Sequence, residues 1–158
     1  MNYRPEIDGL RAIAVLSVVI YHAHLNFLGF RILSGGYLGV DVFFVISGYL
    51  ITSIIYKEVK KKNFLSYINF YERRIRRILP ALIFMIFGSL ILSWYLLLPQ
   101  EMVDFSKSII SILFFVSNFF FYSSRIEYSA NEALTEPLLH TWSLSIEEQF
   151  YLIFPIIF

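Results

Sequence analysis

The chain has no cysteine and little charge: 16% of its 158 residues are Asp, Glu, Lys or Arg, against 58% that are hydrophobic. Without cysteine there are no disulfides, no thiolate nucleophile and no cysteine-bound metal, although the compartment stays open. With so few charges and a mean hydropathy of +0.66, too little polar surface remains to cover a water-soluble globule. A net charge of +1 points to no class of partner. Repeats and low-complexity linkers are also missing. Aromatic side chains are plentiful, with 17 Phe and 11 Tyr. Many of the tyrosines fall near predicted helix ends, where an amphipathic ring suits the headgroup zone. The composition describes an all-α, polytopic transmembrane helical bundle.

Five apolar segments are each close to the roughly 20 residues that a bilayer demands: Ile7 to Phe27, Gly36 to Tyr56, Leu79 to Leu98, Phe105 to Tyr122, and Thr141 to Phe158. The first has charges mixed through its start and no small-residue cleavage site after it, so it reads as a retained span rather than a signal peptide. Pro80 suits the first turn of the third span, and Pro99 marks that span's exit. Lys57 to Arg77 reads as a basic loop, and Ser123 to His140 as a polar one.

Eight of the thirteen Lys and Arg residues lie between Lys57 and Arg77; Arg4, Arg11 and Arg125 fall on the same side, and only Arg31 and Lys107 lie opposite. The positive-inside rule then puts the amino terminus and the basic segment in the cytoplasm, with His22 and His24 toward the outer face.

Ionisable groups inside apolar spans are costly and usually mark function. Arg11 and His22 share one predicted helix face, separated along its axis by about 16 Å. Histidine is the side chain best matched to proton transfer near neutral pH. Asp8, three residues before Arg11, offers a purely structural ion pair. His24 is most simply an interfacial residue. Asp41, near the start of the second span, needs a partner, and an outer-side histidine is a reasonable one. Gly36, Gly39 and Gly48 around it are explained by close helix packing, or by room for a ligand.

In YERRIRRILP, four arginines within five residues (Arg73, Arg74, Arg76 and Arg77) exceed what topology requires. They orient the protein and attract anionic lipid, or they bind a phosphate-bearing ligand through bidentate guanidinium forks. Nucleic acid is a poor candidate, because the basic charge is confined to one membrane-bound loop with no binding module. In the last span His140, Ser143, Glu147 and Tyr151 recur at helical spacing and form a polar stripe. Of the adjacent glutamates, Glu147 is preferred over Glu148 as the site group. Ser17, Ser47 and Ser143 are weak candidates for an acyl-serine nucleophile, since membrane serines usually bond to their own helix.

The blocks YRPEIDGLRAIAVLSVVIYHA, GGYLGVDVFFVISGYLIT, FYERRIRRILPAL and HTWSLSIEEQFYLIFP, in that order, resemble the acyltransferase-3 family of membrane O-acyltransferases. The wording is most similar to the bacterial branch that acetylates cell-surface polysaccharides and often carries an SGNH-type domain. The resemblance implies that these spans form the amino-terminal half of a bundle of about ten, each of membrane-spanning length. It also implies a multi-pass protein of the inner membrane, with the carboxyl-terminal membrane half as a further partner. The implied reaction moves an acyl group, usually acetyl, from acyl-CoA in the cytoplasm to a hydroxyl of a glycan or lipid-linked saccharide, without a metal. Arg11 and His22 match the family's arginine, ten residues, histidine motif. His22 would then be the base or the transient acyl carrier, and Arg11 would contact the donor or organise the site. Arg73, Arg74, Arg76 and Arg77 would bind CoA phosphates. Asp41 and Glu147 lie in family blocks, and we expect them in the catalytic set. Two other expectations compete: a proton-coupled transporter using Arg11, His22, Asp41 and Glu147 as a path, and an inactive fragment that only inserts.

Overall fold

The computed structural model describes residues 4–23, 26–27, 30–31, 33–127 and 136–157. It divides into two compact units, Met1–Leu65 and Ser66–Phe158. Both are helical; the exception among the described residues is a two-residue antiparallel ladder in the first unit, where β1 (Asn26–Phe27) pairs with β2 (Phe30–Arg31).

The first unit is an antiparallel helical hairpin. Helix α1 (Pro5–His22) opens on a proline that needs no amide partner and carries Glu6 and Asp8 in its first turn, complementing the helix dipole. The first expected span therefore stops as helix at His22 instead of Phe27. A 3-10 turn (Gly36–Leu38) leads into α2 (Gly39–Lys62), with Asp41 in the first turn and Lys60, Lys61 and Lys62 in the last. Asn63 ends α2 in the left-handed region at φ 60°, its amide bonded to the Val59 carbonyl at 2.7 Å. Arg4, just before α1, and residues 11, 14 and 17 of α1 meet 49, 43, 39 and 36 in turn, which sets the antiparallel sense. A Cβ on Gly36 would overlap the Ser17 carbonyl oxygen, and one on Gly39 the Ala14 carbonyl oxygen, so glycine lets the two backbones touch. Gly48 is different. A Cβ there would meet nothing within 4 Å, so packing does not explain it.

The second unit comprises α3 (Tyr67–Leu96), α4 (Pro99–Leu113), α5 (Ser117–Glu127) and α6 (Thr141–Ile157). Leu82, Phe105, Ile112, Phe121 and Leu138 form its buried core. The expected basic loop is mostly helix: Lys57–Lys62 completes α2 and Tyr67–Arg77 opens α3. Arginine and glutamate are good helix formers, and the Glu72–Arg76 pair at 2.8 Å bridges one turn. Pro80 therefore lies inside α3 and not in its first turn. Lacking an amide hydrogen, it leaves the Arg76 carbonyl without its usual i+4 donor. The exit at Pro99 is as expected.

The fourth expected span is broken. Phe115 is left-handed at φ 54°, its amide bonds to the Ile112 carbonyl at 3.0 Å, and the Val116 amide to that of Ser111 at 2.8 Å. These two bonds define a Schellman end, here built on phenylalanine where glycine is usual. At 15 and 11 residues, α4 and α5 each fall short of a bilayer crossing. The polar loop is also shorter than expected, since α5 reaches Glu127; residues 128–135 and His24 lie outside the described residues.

Among the described residues, two helical stretches can cross a membrane by length and composition, Gly36–Lys62 and Tyr67–Leu96. Only 11% of the apolar window of the second is buried, whereas the core helix of a soluble protein would be mostly covered. Phe84, Trp94, Tyr95 and Leu96 all point outward.

Candidate functional site

Each unit holds one group of the expected site residues. In the first, α1 carries both Arg11 and His22. His22 is exposed, and its Nδ1 lies 2.9 Å from the Val18 carbonyl oxygen one turn earlier. A carbonyl only accepts, so Nδ1 carries the proton, and in the neutral ring Nε2 keeps the lone pair. The Tyr21 ring meets the imidazole edge-on at 5.3 Å between centroids, and Tyr37 stands edge-on to Tyr21 at 5.8 Å. His22 is thus an exposed imidazole oriented by its own helix.

Arg11 is half-buried, with its guanidinium 5.6 Å from the centroid of the Phe43 ring. Its Nε is buried without a hydrogen-bond partner. The structural pairing with Asp8 does not form. Asp41 is exposed at the amino-terminal turn of α2, and no ion pair or hydrogen bond joins it to His22 among the described residues. The helix dipole is partner enough for a carboxylate at that position. Of the serines, Ser17 donates to Ile13 of its own helix at 2.7 Å and Ser143 to His140 at 3.2 Å, while Ser47 Oγ is buried and unpartnered.

In the second unit the four arginines occupy just over one turn of α3, before Pro80. They are not equivalent. Arg76 is bound to Glu72 through Nε at 2.9 Å. Arg73 and Arg77 are exposed. Arg74 is half-buried, its guanidinium carbon 4.0 Å from the centroid of the Tyr151 ring. The Tyr151 hydroxyl donates to Glu147 Oε1, so Glu147, Tyr151 and Arg74 form a chain from α6 to α3. Tyr71 adds a second tie by donating to the Leu152 carbonyl at 2.9 Å. Beside Glu147, Glu148 has one carboxylate oxygen buried without a hydrogen bond. His140 ends the stripe against the Met85 sulfur at 3.2 Å.

A polar row that sequence reasoning missed runs alongside. Thr141, Ser145 and Gln149 recur every four residues on α6 and secure the break between α4 and α5. Gln149 Nε2 donates to the Phe115 carbonyl at 2.7 Å and to Asn118 Oδ1 at 2.9 Å. Ser145 Oγ accepts from the Ser117 amide at 3.2 Å, and the Ser117 hydroxyl donates to the Thr141 carbonyl at 3.1 Å. Ser117 is fully buried. The i, i+4, i+8 spacing was the available signal.

These features define a helical protein with membrane-length apolar helices, a presented histidine and an arginine-rich helix. The chain belongs to the acyltransferase-3 family: the family model Acyl_transf_3, described as an acyltransferase domain, matches residues 4–158. It is 43% identical over 157 residues to "O-acetyltransferase OatA" of Staphylococcus aureus (strain NCTC 8325 / PS 47), covering 99% of this chain and 25% of that relative. It is 44% identical over 159 residues to "Putative O-acetyltransferase SAS0844" of Staphylococcus aureus (strain MSSA476), with the same coverage of 99% and 25%. The chain therefore spans about a quarter of the length of these curated relatives. No solved structure matches it.

Proposed function

We propose that this chain supplies the base and the donor-binding helix of a multi-pass O-acyltransferase of the cell membrane, moving an acyl group, most simply acetyl, from acyl-CoA to a glycan hydroxyl. The observation that carries this reading is the anchoring of His22 Nδ1 on the Val18 carbonyl at 2.9 Å, which leaves Nε2 free to accept a proton. An alcohol is a weak nucleophile and a thioester is already activated, so a positioned base is the missing ingredient. Nε2 takes the hydroxyl proton as the oxygen attacks the thioester carbonyl. The carbon–sulfur bond then breaks, and the departing CoA sulfur recovers the proton from the imidazolium. Arg11, with a buried Nε awaiting an acceptor about three helical turns from His22, contacts the donor. Asp41 supports the amino-terminal turn of α2 beside it, and Glu147 acts on the donor side through Tyr151.

Arg73, Arg74, Arg76 and Arg77 hold the CoA phosphates, guanidinium forks matching phosphate oxygens. The bias of Lys and Arg toward residues 57–77 supports a cytoplasmic location for this helix and for the amino terminus. The names of the relatives support acetyl as the group and O-acylation as the chemistry. The carboxyl-terminal membrane half, in the protein that carries it, completes a bundle of about ten spans and contributes to the acceptor site. A transporter leaves the arginine cluster without a role.

Calorimetric titration of acetyl-CoA into the protein in nanodiscs tests the division of labour. Arg73→Ala/Arg76→Ala is expected to lose binding. His22→Ala is expected to bind normally while losing transfer. Equal binding by all three proteins, or none by the wild type, refutes the reading.

A further inference from the structure

The arginine-rich helix is braced by α6, and the brace meets the guanidinium of Arg74. At 4.0 Å from the ring centroid, the Arg74 guanidinium carbon lies over the face of Tyr151. Guanidinium N–H groups lie in the plane of the group, so a ring on its face leaves the hydrogen-bonding edge open. The Tyr151 hydroxyl is tied to Glu147, one turn back on α6, which fixes the ring and places negative charge behind it. Glu148 is also within electrostatic reach of Arg74, but one of its oxygens is buried with no hydrogen bond. Arg76, by contrast, is held by Glu72 of its own helix. Arginine loses several rotamers' worth of freedom when it grips an anion, and a side chain already stacked loses less.

We propose that Tyr151 is a positioning residue of the donor site: its ring, held by Glu147, presents the edge of Arg74 to a phosphate of acyl-CoA. This rests on the donor reading above and refines it. Arg74 is the pre-ordered member of the cluster, and Glu147 serves the donor through Tyr151 instead of touching the reacting atoms.

Binding of coenzyme A to the protein in nanodiscs, followed by calorimetry, tests this through a double-mutant cycle. Arg74→Ala is expected to weaken binding about tenfold. Tyr151→Leu is expected to weaken it roughly fivefold, Tyr151→Phe about twofold, and Tyr151→Trp, which keeps a ring face for the cation, less than twofold. In the Arg74→Ala background, both Tyr151→Leu and Tyr151→Phe are expected to add nothing, because the side chain they position is gone. Should Tyr151→Leu fail to fold, the Phe and Trp variants carry the same comparison. If Arg77→Ala weakens binding while the Tyr151 variants bind as wild type, or if their effects add to that of Arg74→Ala, the positioning role is overturned and the donor reading stands. If the wild type does not bind coenzyme A, both fall.

Discussion

The two units hold the polar side chains expected at the site in different ways, although Glu148 of the second keeps one buried oxygen without a hydrogen bond. In the first, His22 bonds only within its own helix, Arg11 keeps a buried Nε without an acceptor, and Asp41 stands exposed in the opening turn of α2. In the second, Arg74 is stacked, Arg76 is ion-paired, Glu147 accepts a tyrosine hydroxyl, and Gln149 closes a helix break. Groups held in networks contribute to stability, whereas groups left unsatisfied in an apolar protein persist for a ligand or a reaction. On the proposed function, the first unit supplies the reacting group, and the second binds the donor and braces the helices that hold it.

The strongest way to break that contrast is His22→Ala. We expect transfer to fall by roughly 10²- to 10⁴-fold, the usual contribution of a positioned base. The thermal midpoint should hardly move, since the lost hydrogen bond is local and the side chain exposed. A drop in midpoint that accounts for the lost activity would make His22 a structural residue and erase the distinction.

Next in size is the contact that makes the first unit a hairpin. Gly39→Val would drive side-chain atoms into the Ala14 carbonyl and Val18. Overpacking of this kind costs about 1–3 kcal/mol, and here the obstacle is backbone, which yields least. Thermal melts in nanodiscs should show a lowered midpoint, and crosslinking between cysteines introduced at positions 11 and 43 should weaken. Unchanged crosslinking would mean that the glycine contact does not hold the hairpin.

In the second unit, Gln149→Leu should cost about 1 kcal/mol, since the acceptors it leaves unmet are partly buried. Two acceptors are involved, the Phe115 carbonyl and Asn118 Oδ1. Unlike His22→Ala, this change should lower stability and donor binding together. A variant with lost transfer at full stability would move Gln149 into the reactive class and blur the comparison.

How much of this was legible in the sequence depended on whether a residue type announced its local structure. Pro99 and the apolar runs announced theirs, so the end of α3 and the start of α6 fall close to where the pattern puts them. Pro80 misled, because a proline was assumed to open a helix that the charged residues Glu72 to Arg77 had already begun. The break after Leu113 was silent: its left-handed residue is Phe115, and neither glycine nor asparagine signals the turn. What stabilises it is Gln149, more than thirty residues later, and no local window contains that information. That one helix carries both Arg11 and His22 was legible from the apolar run alone, whereas the contact of Arg74 with Tyr151 needed the packing of α3 against α6.

The smallest expected effect sharpens the glycine argument. Gly48 lies in the middle of α2, and a methyl group there would meet nothing within 4 Å. Its carbonyl accepts the Thr52 hydroxyl at 2.7 Å, a bond that alanine preserves. Glycine costs a helix interior about 0.5–1 kcal/mol relative to alanine through the freedom of the unfolded chain. Gly48→Ala should therefore raise the thermal midpoint slightly, the opposite sign to Gly39→Val nine residues earlier on the same helix. If Gly48→Ala instead destabilises the protein or impairs transfer, some partner of α2 approaches the backbone at that point, and Gly48 would join Gly36 and Gly39 as a site of close contact.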